Sequence, residues 1–245
     1  MLADNILIWN VRGLNSRARR SVVKLLVAQE RFTLVALQET KLDMCTVALV
    51  METLGVGFDY FFVPATHTCG GMLLAWHRDY WSATNPALHN FSLTALLHCK
   101  NADEQWWFTC VYGPQGDAEK TQFLDHLRHI RRGCAGPWLL CGDFNLIYKA
   151  EDKNNMILNR RLMGRFRRFL DDVEVHELHL YGRRFTWSNG RDNPTLERLD
   201  RVFASDEWLL SLPNHTLTAL ASECSDHAPL RLSTVAVTHF QALSF

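Results

Sequence analysis

Apolar runs that are typical of strands alternate with amphipathic stretches along this chain. The strand-like runs cover residues 6–9, 34–37, 58–63, 71–76, 93–97, 106–111 and 137–141, and shorter ones cover 185–187, 199–203, 215–220 and 230–235. Apolar residues at helical spacing mark residues 21–27, 44–54, 117–131 and 163–173. We therefore predict a strand–helix–strand unit near the amino end, followed by a block of consecutive antiparallel strands.

This mixture of elements predicts an α/β fold. Two packed mixed β-sheets with helices on their outer faces would bury both inner faces, which makes a four-layer α/β sandwich. The chain has 245 residues, 47% of them hydrophobic, so it can bury a sizeable core. It shows no repeat, low-complexity segment or linker, and we expect a single domain over residues 1–245.

Composition excludes several classes of protein. With 26 basic and 26 acidic residues the formal net charge is zero, so the whole molecule has no strong attraction for nucleic acid. Apolar runs stay far below the roughly 18 residues of a membrane span, and the amino end lacks signal-peptide features, so we expect a soluble intracellular protein without a membrane partner. The seven cysteines contain no Cys-x-x-Cys pair, which disfavours disulfides and a zinc site.

Six short polar clusters are the most informative feature, because most of them follow a predicted strand, where a sheet displays a site. In chain order they are WNVRGLN (9–15), QETK (38–41), VYGP (111–114), GDFN (142–145), RLDR (198–201) and SDHAPL (225–230). Each cluster alone has an ordinary structural interpretation. A Gly-Asp-Phe-Asn segment, for example, is most often a turn with an Asx hydrogen bond.

Together the clusters supply hard oxygen ligands and one imidazole. The set comprises Glu39, Asp143, Asp200, Asp226, Asn10, Asn145 and His227. Such ligands favour Mg²⁺, or alternatively Mn²⁺, over zinc. Reaction at a phosphodiester needs a metal, a base for water and donors to the phosphate, and this set can meet all three needs.

Two pairs within this set have an expected geometry. Asp143 and Asn145 should point to the same face of an extended segment, because side chains two apart in a strand do so. Asp200 could orient the imidazole of His227 and keep it protonated, so that it donates to a phosphate oxygen.

The order of the six clusters resembles the endonuclease/exonuclease/phosphatase superfamily, which includes deoxyribonuclease I, apurinic/apyrimidinic (AP) endonucleases, inositol polyphosphate phosphatases and neutral sphingomyelinases. The resemblance runs from Asn5 to about Val235. It implies a deoxyribonuclease I-like fold and a metal-dependent phosphodiester hydrolase. It also implies that Glu39 is the main metal ligand, that Asn10 lies beside it, and that Asp226 is at or near the metal.

The same resemblance implies catalytic roles. Asp143 would orient or deprotonate the attacking water, and Asn145 would position the phosphate. Tyr112 would donate to a phosphate oxygen. His227, paired with Asp200, would bind the phosphate.

Within the superfamily, the motifs WNVRGLN, QETK, GDFNLI, FTWSN and RLDRVF resemble the endonuclease domain of plant LINE-type non-LTR retrotransposons. That resemblance implies a nick in duplex DNA that leaves 3′-hydroxyl and 5′-phosphate ends. It also implies a nuclear location and, in an intact element, a C-terminal reverse transcriptase domain. Two alternatives stay open: a phosphatase or phosphodiesterase acting on inositol phosphates or lipid headgroups, and an inactive relic that binds nucleic acid.

Candidate DNA contacts lie around the clusters. They are Arg12, Arg183, Arg184, Trp187 and Asn189. Arginine suits phosphate, and an exposed aromatic can stack on a base or wedge into a groove, although Trp187 could equally be a core residue. Abasic-site enzymes of the superfamily carry an acid where this chain has Arg12, which weakens a role in DNA repair. The arginines of 160–168 fit either phosphate contacts or a solvated helix face.

Overall fold

The computed structural model describes residues 5–66, 69–100 and 104–234, and these form fifteen strands and five α-helices. The strands are β1 (Asn5–Asn10), β2 (Phe32–Gln38), β3 (Phe58–Thr66), β4 (Cys69–His77), β5 (Trp81–His89), β6 (Ser92–Cys99), β7 (Glu104–Tyr112), β8 (Trp138–Asp143), β9 (Val175–Glu177), β10 (Leu180–Tyr181), β11 (Trp187–Ser188), β12 (Leu196–Glu197), β13 (Asp200–Ser205), β14 (Thr216–Ala219) and β15 (Leu230–Ser233). The helices are α1 (Arg17–Glu30), α2 (Val47–Leu54), α3 (Asp117–Gly133), α4 (Arg160–Asp172) and α5 (Asp206–Ser211).

The strands form two large mixed sheets and one small hairpin. The first sheet has the order β10-β14-β15-β1-β2-β4-β3, the second has the order β5-β6-β7-β8-β13-β9, and β11 pairs with β12. Parallel pairing of β1 with β2, connected by α1, confirms the predicted strand–helix–strand unit. The last predicted strand included Val235, which lies outside the described residues.

Alternation along the strands separates the layers. In β1, Ile6 and Ile8 face the second sheet, whereas Leu7 and Trp9 join the cluster that contains Val23 of α1. Helices α3 and α4 cover the outer face of the second sheet through residues such as Phe123 and Phe166. The predicted four-layer α/β sandwich is confirmed.

The predicted antiparallel block is divided between the sheets. Strands β3 and β4 close the first sheet, whereas β5, β6 and β7 begin the second. The sequence analysis missed β5, because Asn85 and Pro86 interrupt its apolar pattern and the pairing with β6 shifts register between Thr84 and Ala87. Helix α1 begins before the predicted residue 21, because the side chain of Ser16 accepts a hydrogen bond from the backbone N–H of Arg19.

None of the helices within the described residues has the length and apolar content that crossing a bilayer requires.

Topology collects the polar clusters at one end of the sandwich. Strands β1, β2, β7 and β8 end there with Asn10, Gln38, Tyr112 and Asp143. In the second sheet, Asp143 is in register with Tyr112 on one side and with Asp200, the first residue of antiparallel β13, on the other. Both sheets therefore contribute to the same edge.

Gly142 lets β8 approach β7 closely just before Asp143. Its φ is +127°, and a Cβ atom there would lie 2.2 Å from the carbonyl oxygen of Val111. A side chain of any size must therefore separate the two strands or twist the backbone.

We predict that Gly142→Ala destabilises the fold by about 1–3 kcal/mol, because strain and a backbone clash combine. Denaturant unfolding measures the change. Gly133→Ala is the matched control, since a Cβ atom at this helical position meets no heavy atom within 4 Å. It should leave stability unchanged or raise it by up to about 1 kcal/mol, because alanine favours the helix more than glycine does. Equal losses in both variants would contradict a close approach of β8 to β7 at Gly142.

Candidate active site

Asn10 connects the two sheets at their common edge. Its side-chain Nδ2 donates to Asp143 Oδ2 at 2.9 Å and to Glu39 Oε2 at 3.2 Å. Asn10 is fully buried, and Glu39 and Asp143 are nearly so. One amide thus holds together a carboxylate that follows β2 in the first sheet and a carboxylate at the end of β8 in the second.

Glu39 lies between two cationic side chains. Lys41 Nζ is 3.2 Å from Oε1, and Arg12 Nη1 is 3.4 Å from Oε2. Glu39 has a φ of +52°, and backbone hydrogen bonds from Thr40 to Gly71 and from Lys41 to Gly70 hold the loop that follows it. The contact of Lys41 with Glu39 was missed, although the residue belongs to the QETK motif.

Asp226 is held from two sides. Arg12 Nε lies 3.3 Å from Oδ1, and the indole Nε1 of Trp187 donates to Oδ2 at 2.9 Å. Arg12, predicted as a DNA contact, therefore bridges Glu39 and Asp226.

His227 and Asp200 form a buried pair. The distance from Nδ1 to Oδ2 is 2.9 Å, and the hydroxyl of Thr186 fixes the start of β13 by accepting from the backbone N–H groups of Leu199 and Asp200. Burial alone lowers the pKa of His227, but the carboxylates of Asp200 and Asp143 outweigh it and raise that pKa to about 9. The imidazole is consequently protonated at neutral pH, and its Nε2 lies 3.8 Å from Asp143 Oδ2.

The expected geometry of Asp143 and Asn145 was wrong. Strand β8 ends at Asp143, and Asn145 adopts a left-handed φ of +51° while its backbone N–H donates to Asp143 Oδ1 at 2.9 Å. The segment is a turn with an Asx hydrogen bond, so the two side chains do not share the face of a strand. The side chain of Asn145 donates to the carbonyl of Gly113 at 2.7 Å and accepts from Gln115 at 3.0 Å, a partner that the sequence analysis missed.

Protonation of two further groups follows from their surroundings. Burial raises the pKa of Asp143 to about 6, against the opposing effect of protonated His227. Burial also raises the pKa of Tyr112, and the negative charges of Glu39 and Asp143 raise it further. Tyr112 therefore remains a hydrogen-bond donor at neutral pH.

The other predicted DNA contacts border the site. Arg183 and Arg184 are exposed, and Arg184 Nε donates to the carbonyl of Glu151 at 2.9 Å. Trp187 is half-buried, with its ring centroid 6.4 Å from that of His227, so it lines the site and is not a core residue. Asn189 closes the hairpin of β11 and β12 by accepting from the backbone N–H of Thr195 at 3.0 Å.

Arginines that follow the first cluster have structural partners. Arg19 donates to the carbonyls of Val11 and Arg12, and Arg20 donates to the carbonyl of Leu14. These side chains fix the loop between β1 and α1, so they are engaged with the protein's own backbone.

The donor set fits a hard divalent cation. Glu39 and Asp226 offer carboxylate oxygens, which Mg²⁺ and Mn²⁺ prefer. Asn10 lies beside them with its Nδ2 toward Glu39 and its Oδ1 toward the backbone N–H of Arg12. Asp200 Oδ1 is buried and has no hydrogen-bond partner among the described residues. Ligand atoms of Asp143, Asp200 and His227 also lie within 4.8 Å of one another, but a protonated imidazole cannot bind a metal. The four carboxylates, Glu39, Asp143, Asp200 and Asp226, outnumber the three nearby cationic groups, Arg12, Lys41 and His227.

Comparison with known proteins identifies chains of similar sequence pattern and fold. The sequence model of the "Endonuclease/Exonuclease/phosphatase family" matches residues 7–227. The AP endonuclease from Leishmania major superposes with a TM-score of 0.76 at 15% identity, over 94% of this chain and 87% of that one. An AP endonuclease from Archaeoglobus fulgidus superposes with a TM-score of 0.70 at 16% identity, over 94% of this chain and 98% of that one.

The endonuclease domain of TRAS1, a telomere-specific non-LTR retrotransposon, gives a TM-score of 0.71 at 14% identity, over 95% of this chain and 98% of that one. At these identities the likeness concerns the fold. No curated protein sequence matches the chain significantly.

We predict that Asp200→Asn lowers the pKa of His227 by about 1–3 units, the usual effect of losing an opposite charge within hydrogen-bonding distance. An NMR titration of the His227 ring measures it. Asp59→Asn removes a carboxylate that pairs with Arg78 away from the site, and it should leave the titration unchanged. A His227 pKa that stays near 9 in Asp200→Asn would assign the stabilising charge to Asp143 instead.

Proposed function

The chain belongs to the Endonuclease/Exonuclease/phosphatase family, and we propose that it is a magnesium-dependent endonuclease that nicks duplex DNA and leaves 3′-hydroxyl and 5′-phosphate ends. The family match confirms the superfamily resemblance drawn from the motif order. The observation that carries the proposal is the junction at Asn10, where one amide bridges Glu39 and Asp143 beside protonated His227. This arrangement supports a metal ligand at Glu39, a base at Asp143 and a phosphate donor at His227, whose Nε2 lies 3.8 Å from Asp143 Oδ2.

Residues of the junction divide the chemistry. Glu39 and Asp226, with Asn10 beside them, would hold Mg²⁺, or alternatively Mn²⁺, which would act as a Lewis acid and neutralise charge on the phosphodiester. Asp143 has a pKa of about 6, so it is largely ionised at neutral pH and still basic enough to accept a proton from water.

Three side chains would act on the phosphate. His227 would donate through Nε2, because Asp200 occupies Nδ1 and maintains the positive charge. Tyr112 would donate a hydrogen bond from its phenolic hydroxyl to a phosphate oxygen. Asn145, whose side chain is fixed by Gly113 and Gln115, would position the phosphate.

Basic residues on both sides of the junction support an extended substrate. On the side of Trp187, an open depression of about 250 Å³ is lined by Arg183 and Arg184. On the side of Asn145, an open cleft of about 590 Å³ is lined by Arg160, one of the arginines of 160–168, and by Lys120 and Lys153, which were not singled out from the sequence. Asp117 and Glu197 also line this cleft, and Lys153 pairs with Glu197. A duplex can contact both surfaces, whereas a small headgroup can occupy only one.

The proposal includes a nuclear location and a partner domain. The motif resemblance to plant LINE-type elements supports target-DNA nicking in the nucleus, by a single domain over residues 1–245 that acts with a C-terminal reverse transcriptase domain in an intact element. Because the net charge is zero, a few local phosphate contacts would carry the affinity. Each contact should add about one unit to the negative slope of log affinity against log salt.

We predict that nicking of supercoiled plasmid requires Mg²⁺ or Mn²⁺ and that Glu39→Ala lowers the rate at least about 100-fold, because a buried metal carboxylate is lost. Gel conversion of supercoiled to open-circular DNA measures the rate. Glu207→Ala is the matched control, since Glu207 is a half-exposed carboxylate in α5 at the opposite end of the sandwich. Full activity in excess chelator would reject the metal requirement.

A comparison of three substrates tests which class of phosphoester the protein hydrolyses. Rates on supercoiled DNA, an abasic duplex and an inositol polyphosphate are compared under the same metal conditions. Faster turnover of the inositol compound would favour the phosphatase alternative, and DNA binding without cleavage would favour the inactive relic.

We predict that Asp143→Asn lowers turnover by about 10²–10⁴-fold, the usual contribution of a positioned general base. The amide keeps the shape of the carboxylate, so duplex binding should remain close to wild type. The unfolding midpoint should fall, because one of the two oxygens that accept from Asn10 and Asn145 becomes an N–H donor. Single-turnover nicking and a binding titration separate these effects. A near-normal nicking rate would move the base role to another residue.

A further inference from the structure

Arg12 spans two carboxylates of the candidate metal site. Its Nη1 lies 3.4 Å from Glu39 Oε2 and its Nε 3.3 Å from Asp226 Oδ1. Both distances exceed the roughly 2.7–2.9 Å of a charge-assisted hydrogen bond. The side chain of Arg12 is 42% exposed. The guanidinium is therefore loosely held on the open side of the site.

Arg201 shows how this fold holds a structural arginine. It is fully buried, and its guanidinium lies 2.6 Å from Asp152 Oδ2 and 2.5 Å from Glu177 Oε1. Arg12 differs in exposure and in distance from its partners. Because water screens the exposed guanidinium and Lys41 remains 3.2 Å from buried Glu39, Arg12 can leave its carboxylates at a modest cost.

Only the side chain of Arg12 has this freedom. Its backbone N–H donates to Asn10 Oδ1 at 3.1 Å, and its carbonyl accepts from Arg19 at 3.0 Å. Asp226 keeps its hydrogen bond from Trp187 when Arg12 leaves. A released guanidinium would thus remain beside the site, and the carboxylates would remain in place.

We propose that Arg12 competes with the metal ion for Glu39 and Asp226 and that, once displaced, it binds a phosphate of the DNA. A cation that approaches Glu39 is repelled by the guanidinium, so the two cannot share these oxygens. The freed guanidinium matches phosphate oxygens in bidentate geometry. Metal binding frees Arg12 for the phosphate, and DNA binding takes Arg12 away from Glu39 and Asp226. Each ligand therefore strengthens the binding of the other. The inference rests on the proposed function.

The first test is a Mn²⁺ titration of the protein without DNA. Arg12→Gln removes Arg12 and leaves Lys41 at Glu39, so Mn²⁺ should bind about threefold to tenfold more tightly. Arg12→Lys retains the charge and should stay close to wild type. Arg17→Gln is the matched control, since Arg17 is highly exposed and pairs with Glu52. Unchanged or weaker Mn²⁺ binding in Arg12→Gln would overturn the competition.

The second test measures coupling in the Asp143→Asn background, in which cleavage is expected to be slow. Mn²⁺ should tighten binding of a duplex oligonucleotide, and Arg12→Gln should remove most of that gain. Equal coupling with and without Arg12 overturns the phosphate role. A protein that binds no Mn²⁺ would fail both this inference and the metal requirement of the proposed function. Competitive Mn²⁺ binding without any DNA cleavage would leave the competition standing and reject only the nuclease.

Discussion

Repulsion among four carboxylates is the constraint on which the rest of the site depends. Glu39, Asp143, Asp200 and Asp226 converge at one end of the sandwich, and three of them are almost completely buried. Buried like charges are tolerated only when donors or cations face them. This requirement is met by the amide of Asn10, by the imidazolium of His227 and by Arg12 and Lys41 beside Glu39.

Much of this architecture follows from sequence pattern. Apolar runs that end in Asn10, Glu39 and Asp143 place these residues at strand ends, and the parallel pairing of β1 with β2 brings the first two to one edge. The order of clusters then indicates the chemistry. The pattern could not show that β4 and β5 belong to different sheets, because that division depends on which faces pack in three dimensions.

Local turns and long-range contacts could not be predicted from the sequence pattern. The left-handed Asn145 depends on its contacts with Gly113 and Gln115, which only the packing of β7 beside β8 provides. Likewise, a hydroxyl at Thr186 orients Asp200 across fourteen residues of sequence. No periodicity in the chain encodes such contacts, since each joins two loops whose approach is set by the sheets between them.

The junction at Asn10 has a consequence for how this domain tolerates change. Each sheet contributes one half of the site. The apolar side chains packed between the sheets therefore set the position of Glu39 and Asn10 relative to Asp143 and Asp200. Ile8 and Leu139 belong to this layer, so a shift at either residue would move Asn10 and Asp143 relative to each other. The geometry of the polar residues therefore depends on a layer of apolar side chains that lies away from them, and a substitution in that layer can misalign the site while every polar motif stays intact.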